Sequence, residues 1–374
     1  MNIVLLMVVL FSMVVATVGT VGGYQLSGLG WSLPLLVSFV IIACYGRAPR
    51  GLLAIWLPWL VIITGFAVSS EHEHAYQRSL IMLSPLFVAY AAATLPCSNQ
   101  FLILSVRAIK CVAVAVMLLV FSRAVSGSDI PWSVAAGSIV CTALFCFFWA
   151  HYRSFSDGVS LVFALGFLAV VSVALSRGPL LAILLASVFS PPFLGLVKRA
   201  LVFVVGSLFA VFSFIYIPQL SEKMFVGGAF PGFAQLSFDS IVTSGRFSAW
   251  ELMISGIEAS PIIGHGANAS EGFLLSAVGE AFAHPHNDYL RLAYDYGIVV
   301  ACFYVFLVVI QILQLLQLAK VVPSGQERFI VHVAVSLFIP YLILMYVDNI
   351  LLYAAFFVNL HFFFIGVSYS LKNK

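Results

Sequence analysis

The sequence predicts an all-α polytopic membrane protein with about twelve transmembrane helices and one large external loop. Three observations carry that prediction. Of the 374 residues, 63% are hydrophobic and 8% are charged, with a mean hydropathy of +1.12. Soluble domains carry roughly 25% charged residues, so this chain cannot cover a water-facing surface of its size. Apolar runs near the roughly 20 residues needed to cross a bilayer core recur along the chain. The short breaks between them alternate between basic and acidic. The net charge is only +3 and the basic residues are scattered, so there is no footprint for nucleic acid.

Taken in order, the apolar runs lie near 3–22, 31–45, 52–69, 79–95, 101–122, 131–150, 159–176, 179–197, 200–217, 296–319, 329–347 and 350–370. The first lacks a basic leader and an A-x-A cleavage site, so it is expected as a retained helix rather than a signal peptide. Turn and charge clusters separate the runs: Gly46-Arg47-Ala48-Pro49-Arg50, Ser154 to Gly158, Lys198-Arg199, and Pro323 to Arg328. The chain therefore divides into residues 1–217 with about nine spans, 218–295 as an external loop, and 296–374 with about three more spans. The 6 cysteines fall in or beside apolar runs without any CxxC pair. They are expected as buried free thiols, with no metal site and no disulfide framework.

Lys and Arg in short loops stay on the cytoplasmic side. With both termini inside, Arg47, Arg50, Arg153, Lys198, Arg199, Lys320, Arg328, Lys372 and Lys374 face the cytoplasm. Glu71, Glu73, Asp129, Asp348 and most acids of the 218–295 loop then lie outside, leaving only Asp157 and Glu327 within. The long loop is then external. It shows no strand alternation and no repeat, and its aromatic content argues against disorder. Two or three short helices lying against the membrane are expected there.

Three stretches on the predicted outer face can carry chemistry. In Ser244-Gly245-Arg246-Phe247-Ser248-Ala249-Trp250-Glu251, Ser244 or Gly245 can cap a helix with Phe247, Trp250, Ile254 and Ile257 on one face, stopped by Pro261. Arg246 then sits at a helix start, where free amides already favour an anion; a salt bridge with Glu251 or Glu280 is the plain structural alternative. In His284-Pro285-His286-Asn287-Asp288-Tyr289-Leu290, His286 opens a second helix and can take up a proton near neutral pH. Capping by His286 and Asn287 is the plainer reading of that stretch, and no carboxylate or thiol cluster at metal-ligand spacing accompanies the two histidines. In Ser176-Arg177-Gly178-Pro179, the Gly-Pro pair is expected to form a tight turn that fixes a guanidinium at the end of a span, where snorkelling to the interface is the alternative. Arg78 and Arg123 also lie at outer span ends, while Arg107 and Lys110 fit snorkelling near the inner face. Two arginines can clamp a diphosphate and one histidine can deprotonate a hydroxyl, parts suited to group transfer from a diphosphate-activated donor.

Together, SRGPLLA (176–182), SGRFSAWE with SPIIGHG (244–251, 260–266) and HPHNDYLRLAYDYG (284–297) resemble the O-antigen ligase and O-antigen polymerase superfamily of bacterial membrane glycosyltransferases. His286 and Gly297, with ten residues between them, fit its H-x10-G signature. The resemblance implies a membrane glycosyltransferase (GT-C-like) fold and an amphiphilic cavity open to the outer leaflet. It also implies transfer of a glycan from an undecaprenyl-diphosphate carrier to a hydroxyl, with no metal and no cofactor. Arg177 and Arg246 would bind the diphosphate and His286 would be the general base, with inversion at the sugar. Asn287, Arg291, Arg78 and Arg123 would support them, and the additional His284 could take the basic role if the helix began earlier. The acceptor would be lipid A–core for a ligase or a second carrier-linked repeat unit for a polymerase, and the compact loop fits the ligase pattern. A secondary transporter or flippase would require two related halves with paired broken helices, and no such symmetry is legible. A scaffold would have no reason to gather arginine and histidine on one face.

Overall fold

The computed structural model describes residues 1–372 apart from 19, 22–23, 26, 47–49, 127–133, 233–234, 238–239, 243–244, 280–283 and 324, and leaves aside the side chains of 20–21, 24–25, 27, 123–126 and 134–135. The chain is an all-α polytopic membrane protein. Its helices are α1 (Asn2–Val18), α2 (Ser27–Tyr45), α3 (Arg50–Ser69), α4 (Ala75–Thr94), α5 (Asn99–Ser126), α6 (Val134–Phe155), α7 (Gly158–Val173), α8 (Arg177–Phe189) and α9 (Leu196–Tyr216). Four short helices follow, α10 (Pro218–Met224), α11 (Arg246–Ala259), α12 (Ala269–Val278) and α13 (Asp288–Tyr296). The chain closes with α14 (Ile298–Val321), α15 (Gln326–Ser336), α16 (Phe338–Val347), a 3₁₀ turn at Ile350–Leu352, a π turn at Ala354–Val358, and α17 (Asn359–Lys372). A two-residue antiparallel pair, Thr20–Val21 with Tyr24–Gln25, joins α1 to α2.

Seven segments are long and apolar enough to cross a membrane by length and composition: Gly28–Tyr45, Arg50–Ser69, Asn99–Ser122, Leu196–Tyr216, Ile298–Val321, Gln326–Val347 and Ala354–Lys372. They differ in what covers them. The last is 94% buried and forms the axis of the bundle, whereas Leu196–Tyr216 buries none of its window and stands outermost. The axis packs chiefly on α4. Lipid tails are as apolar as leucine, so close packing of small residues, rather than escape from water, holds such helices together. Around Gly366 of α17 this is visible, because an added Cβ would lie 2.2 Å from the Ala89 carbonyl and 2.8 Å from the Ala92 side chain of α4.

Several expectations are corrected at this level. The 218–295 region holds four described helices rather than two or three, with an isolated antiparallel bridge between Phe225 and Ile241. Of the six cysteines, expected as buried, only Cys97, Cys141 and Cys146 are so; Cys44, Cys111 and Cys302 are exposed on the bundle's outer surface. Gly178-Pro179 does not make the turn before α8. That turn falls at Leu175 (φ 54°), and Gly178 and Pro179 occupy the first turn of α8, where proline's missing N–H has no partner to lose. At the opposite end of the bundle, Lys110 does more than reach for the interface: its Nζ lies 3.0 Å from Asp157, which caps α7 through the Val159 amide.

Of the short helices, α11, α12 and α13 pack on one another at the entrance to α14, whereas α10 packs on α9. His265 and Gly266 donate their amides to the carbonyls of Tyr294 and Asp295 (2.9 Å each), and Ile298 donates to Pro261 (2.8 Å). The turn after α11 is thus stitched to the junction of α13 and α14. At Gly297 (φ 87°) that stitching leaves no room for a side chain, since an added Cβ would lie 2.0 Å from the Ile262 carbonyl. A positive φ and this contact together explain why glycine closes the H-x10-G spacing.

Candidate functional site

The site is assembled around the corner where α16 ends, Val347-Asp348-Asn349. Arg177 is the first residue of α8, and its neighbour Gly178 packs directly on the Val347 side chain. Its guanidinium is half-buried; Nη1 donates to the Val242 carbonyl (2.8 Å) and lies against the Met224 sulfur. Arg246 is the first residue of α11, after Gly245 (φ 77°). Its Nη1 donates to the Val347 carbonyl at 2.7 Å. The expected cap by Ser244 lies outside the described residues. The buried face of α11 is Ala249, Met253 and Ile257, whereas Phe247 and Ile254 point outward, so the predicted stripe is shifted by part of a turn.

The two guanidinium groups are close enough for Arg246 to act electrostatically on Arg177. Among the described residues, neither pairs with a carboxylate. The salt bridge considered between Arg246 and Glu251 is not formed, and Glu280 lies outside the described residues. Two neighbouring cations held by carbonyl oxygens, each with donors to spare, form a receptor for an anion with paired oxygens.

His286 stands just before α13 in a left-handed conformation (φ 49°). The preceding carbonyl, on Pro285, accepts the Trp250 indole N–H at 2.7 Å, so α11 props the segment from behind. Asn287 is the N-cap of α13, its side-chain oxygen accepting the Leu290 amide at 3.1 Å. Capping thus falls to Asn287 alone. His286 Nδ1 faces Asp348 Oδ1 at 3.1 Å, with the Asn349 side-chain amide 3.3 Å from the same nitrogen. A carboxylate only accepts, so it holds the proton on Nδ1 and leaves the Nε2 lone pair available. The His286 side chain is 32% exposed and Asp348 is 18% exposed, which suits a base that must meet a substrate and an orienting acid that must not.

The remaining candidates sit one layer away. Arg78 makes a two-pronged contact with Glu271 of α12, at 3.0 and 2.9 Å, and Arg291 is buried with its Nε 3.6 Å from Asp295. Asp295 also accepts the Ser270 amide at 2.8 Å. Arg78 thus ties α12 to α4 and Asp295 ties α13 to α12, and both arginines sit beside carboxylates, unlike Arg177 and Arg246 among the described residues. His284 lies among them. Burial and the charges of Arg291, Arg78 and His286 hold it down at about 4, against the pull of Glu271, so it stays neutral at physiological pH and is a weak base. The side chain of Arg123 lies outside the described residues. Among the described residues, no three His, Cys, Asp or Glu side chains gather as a metal site.

One pH dependence follows from this layer. His284 binds a proton below its ordinary 6.5 when undocked and only below about 4 when docked. Burial would raise the Glu271 carboxyl, but the Arg78 hydrogen bonds hold it below its ordinary value. In both cases the undocked state binds more protons, so acid favours release of α12 from α4 as pH falls from about 6.5 towards 4. Amide hydrogen exchange across Ala269–Val278 should therefore speed up at pH 5 relative to pH 7, after correction for intrinsic exchange. Equal protection at the two values would contradict it.

Sequence reasoning did not single out Asp348 beyond its sidedness, nor Glu271 as the partner of Arg78. A signal for Asp348 was present: a single acid, followed by an amide side chain, interrupting two apolar runs at the outer face. Residues 161–305 match the model of a family described as O-antigen ligase. The match takes in Arg177, Arg246, His286 and Gly297 and stops short of Asp348. None of the curated proteins matches the chain.

Proposed function

We propose, from the match of residues 161–305 to the model of a family described as O-antigen ligase, that the chain is an O-antigen ligase. It transfers a glycan from an undecaprenyl-diphosphate carrier to a hydroxyl of lipid A–core, at the periplasmic face of the inner membrane, without metal and with inversion. The observation that supports this most is the convergence on two successive residues: Arg246 bonds the Val347 carbonyl, Gly178 beside Arg177 packs on the Val347 side chain, and His286 faces Asp348.

In this reading about twelve spans carry the site, and residues 218–295 form the periplasmic loop, as the distribution of Lys and Arg supports. Arg177 and Arg246 hold the diphosphate of the donor. His286 Nε2 takes the proton of the acceptor hydroxyl as its oxygen bonds to the anomeric carbon. The bond from that carbon to the diphosphate oxygen breaks on the opposite face. The carrier diphosphate leaves with the electron pair, and the two arginines neutralise the charge that grows there. Asp348 stabilises the imidazolium that forms. A single in-line displacement accounts for inversion.

Deletion of the gene in its host is the test, reading both lipopolysaccharide and carrier-linked glycans. A ligase leaves polymeric glycan on the carrier and none on lipid A–core. Lipid A–core bearing a single repeat unit would instead mean a polymerase, and no change in either pool would remove the assignment to lipopolysaccharide.

A further inference from the structure

Two residues beyond His286 lies a carboxyl that the transfer just described does not use. Asp288, the first residue of α13, is completely buried. Its Oδ2 accepts the Leu351 amide at 2.8 Å, and the Ile350 amide also faces the carboxylate. Its Oδ1 has no partner among the described residues. Burying a carboxyl without full satisfaction is costly, and nothing about starting a helix demands it, since Asn287 already supplies the cap.

What Asp288 grips is the turn that carries Asp348. Asp348 Oδ1 accepts the Asn349 amide (2.9 Å) and faces His286 Nδ1 (3.1 Å). Residues 348–351 are thus held at the head by His286 and at the tail by Asp288, from two positions in one short segment of chain. Trp250 props the segment before α13, and Asp288 ties the turn to that segment. The groups that face Asp288 are Arg291 on its own helix, Asp348 across the turn, and the hydroxyls of Tyr289, Tyr304, Tyr341 and Tyr353. Arg291 pulls against the burial of Asp288 and also lies beside Asp295, its Nε 3.6 Å from that carboxylate.

We propose that Asp288 is a positioning residue for the transfer: its hold on the Leu351 and Ile350 amides sets Asp348 against His286, and its charge favours the protonated imidazole that forms during the reaction. The proposal rests on the reading of His286 as general base. Burial, with Asp348 adding to it against Arg291 and the two amides, raises the Asp288 carboxyl to about 7. Its negative charge is therefore present above neutrality and lost below it. Asp288 should then add an ionisation of its own to the rise of transfer rate with pH.

The experiment is the pH profile of glycan transfer by the full-length protein in proteoliposomes, from a polyprenyl-diphosphate-linked glycan to a lipid acceptor. The wild-type acid limb is expected to steepen beyond the slope of a single ionisation. Asp288→Asn keeps an oxygen for the Leu351 amide but removes the charge; it should lower the rate roughly three- to tenfold at pH 7.5 and reduce the limb to one ionisation. Asp288→Ala also frees the turn and should cost about a hundredfold. A wild-type limb of single slope overturns the proposal, and so does an Asp288→Asn enzyme with unchanged rate and profile. Losses in both variants that merely track the folded fraction, with the profile intact, overturn it as well. Failure of the parent reading looks different: His286→Ala would then transfer at the wild-type rate whatever Asp288 does.

Discussion

Replacing His286 with alanine is expected to reduce glycan transfer by about 10²–10⁴-fold, the usual contribution of a positioned general base, while leaving insertion and folding intact. The side chain caps no helix and packs in no core; its one polar engagement is with the Asp348 corner. Asp348→Asn should be damaging for a different reason. An amide in place of the carboxylate no longer forces the proton onto Nδ1 and no longer stabilises the imidazolium, so kcat should fall with little change in KM. His284→Ala is the control. Held at about 4 by burial and by Arg291 and Arg78, His284 is too weak a base to substitute, and its loss should leave most of the activity. Initial rates of transfer with the three purified variants decide the matter; full activity in His286→Ala, or a dead His284→Ala with normal folding, would reverse the assignment.

The second large effect is expected at the arginine pair. Arg177→Ala and Arg246→Ala should each lower kcat/KM by about 10²–10³-fold, as removal of a donor to developing charge does. The double variant should lose less than the product of the two, because the groups share one anion. Lysine is a poor replacement at either place. Each guanidinium already spends one nitrogen on a carbonyl, Val242 for Arg177 and Val347 for Arg246, and only a multi-pronged donor can do that and still hold phosphate oxygens. Affinity for a polyprenyl diphosphate without sugar, measured by inhibition of transfer, should weaken in parallel. An Arg246→Lys enzyme with normal kinetics would reduce the role to simple charge neutralisation.

Much of this arrangement was legible in the sequence, and the illegible parts share a cause. The apolar runs locate helices because a span must satisfy its backbone internally; each falls mainly on one described helix, except 329–347 on the pair α15 and α16 and 350–370 on a 3₁₀ turn, a π turn and α17. The helix start at Arg246 was foreshadowed by Ser244 and Gly245, whereas Arg177, expected at the end of a span before a Gly-Pro turn, instead opens α8. What the sequence hid were partnerships across long separations: Asp348 for His286, Glu271 for Arg78, the Leu351 amide for Asp288. Local pattern has no access to such pairs. The shifted face of α11 has the same origin. Its buried residues are chosen by the neighbouring α12 and α13, through contacts with Tyr294 and Leu274, and not by which of its own residues are the largest. Likewise, exposed Cys44, Cys111 and Cys302 reflect a rule of apolar surroundings: in a membrane, an apolar run has two faces that suit it, one towards the bundle and one towards lipid.

The most direct measurement of the central claim uses the purified protein in liposomes, with a polyprenyl-diphosphate donor labelled in its glycan and a lipid A–core acceptor. The account predicts that label moves to the acceptor with inverted anomeric configuration, that one polyprenyl diphosphate is released per transfer, and that His286→Ala stops both. Transfer with retained configuration, or label that crosses the bilayer while still linked to its carrier, would contradict it.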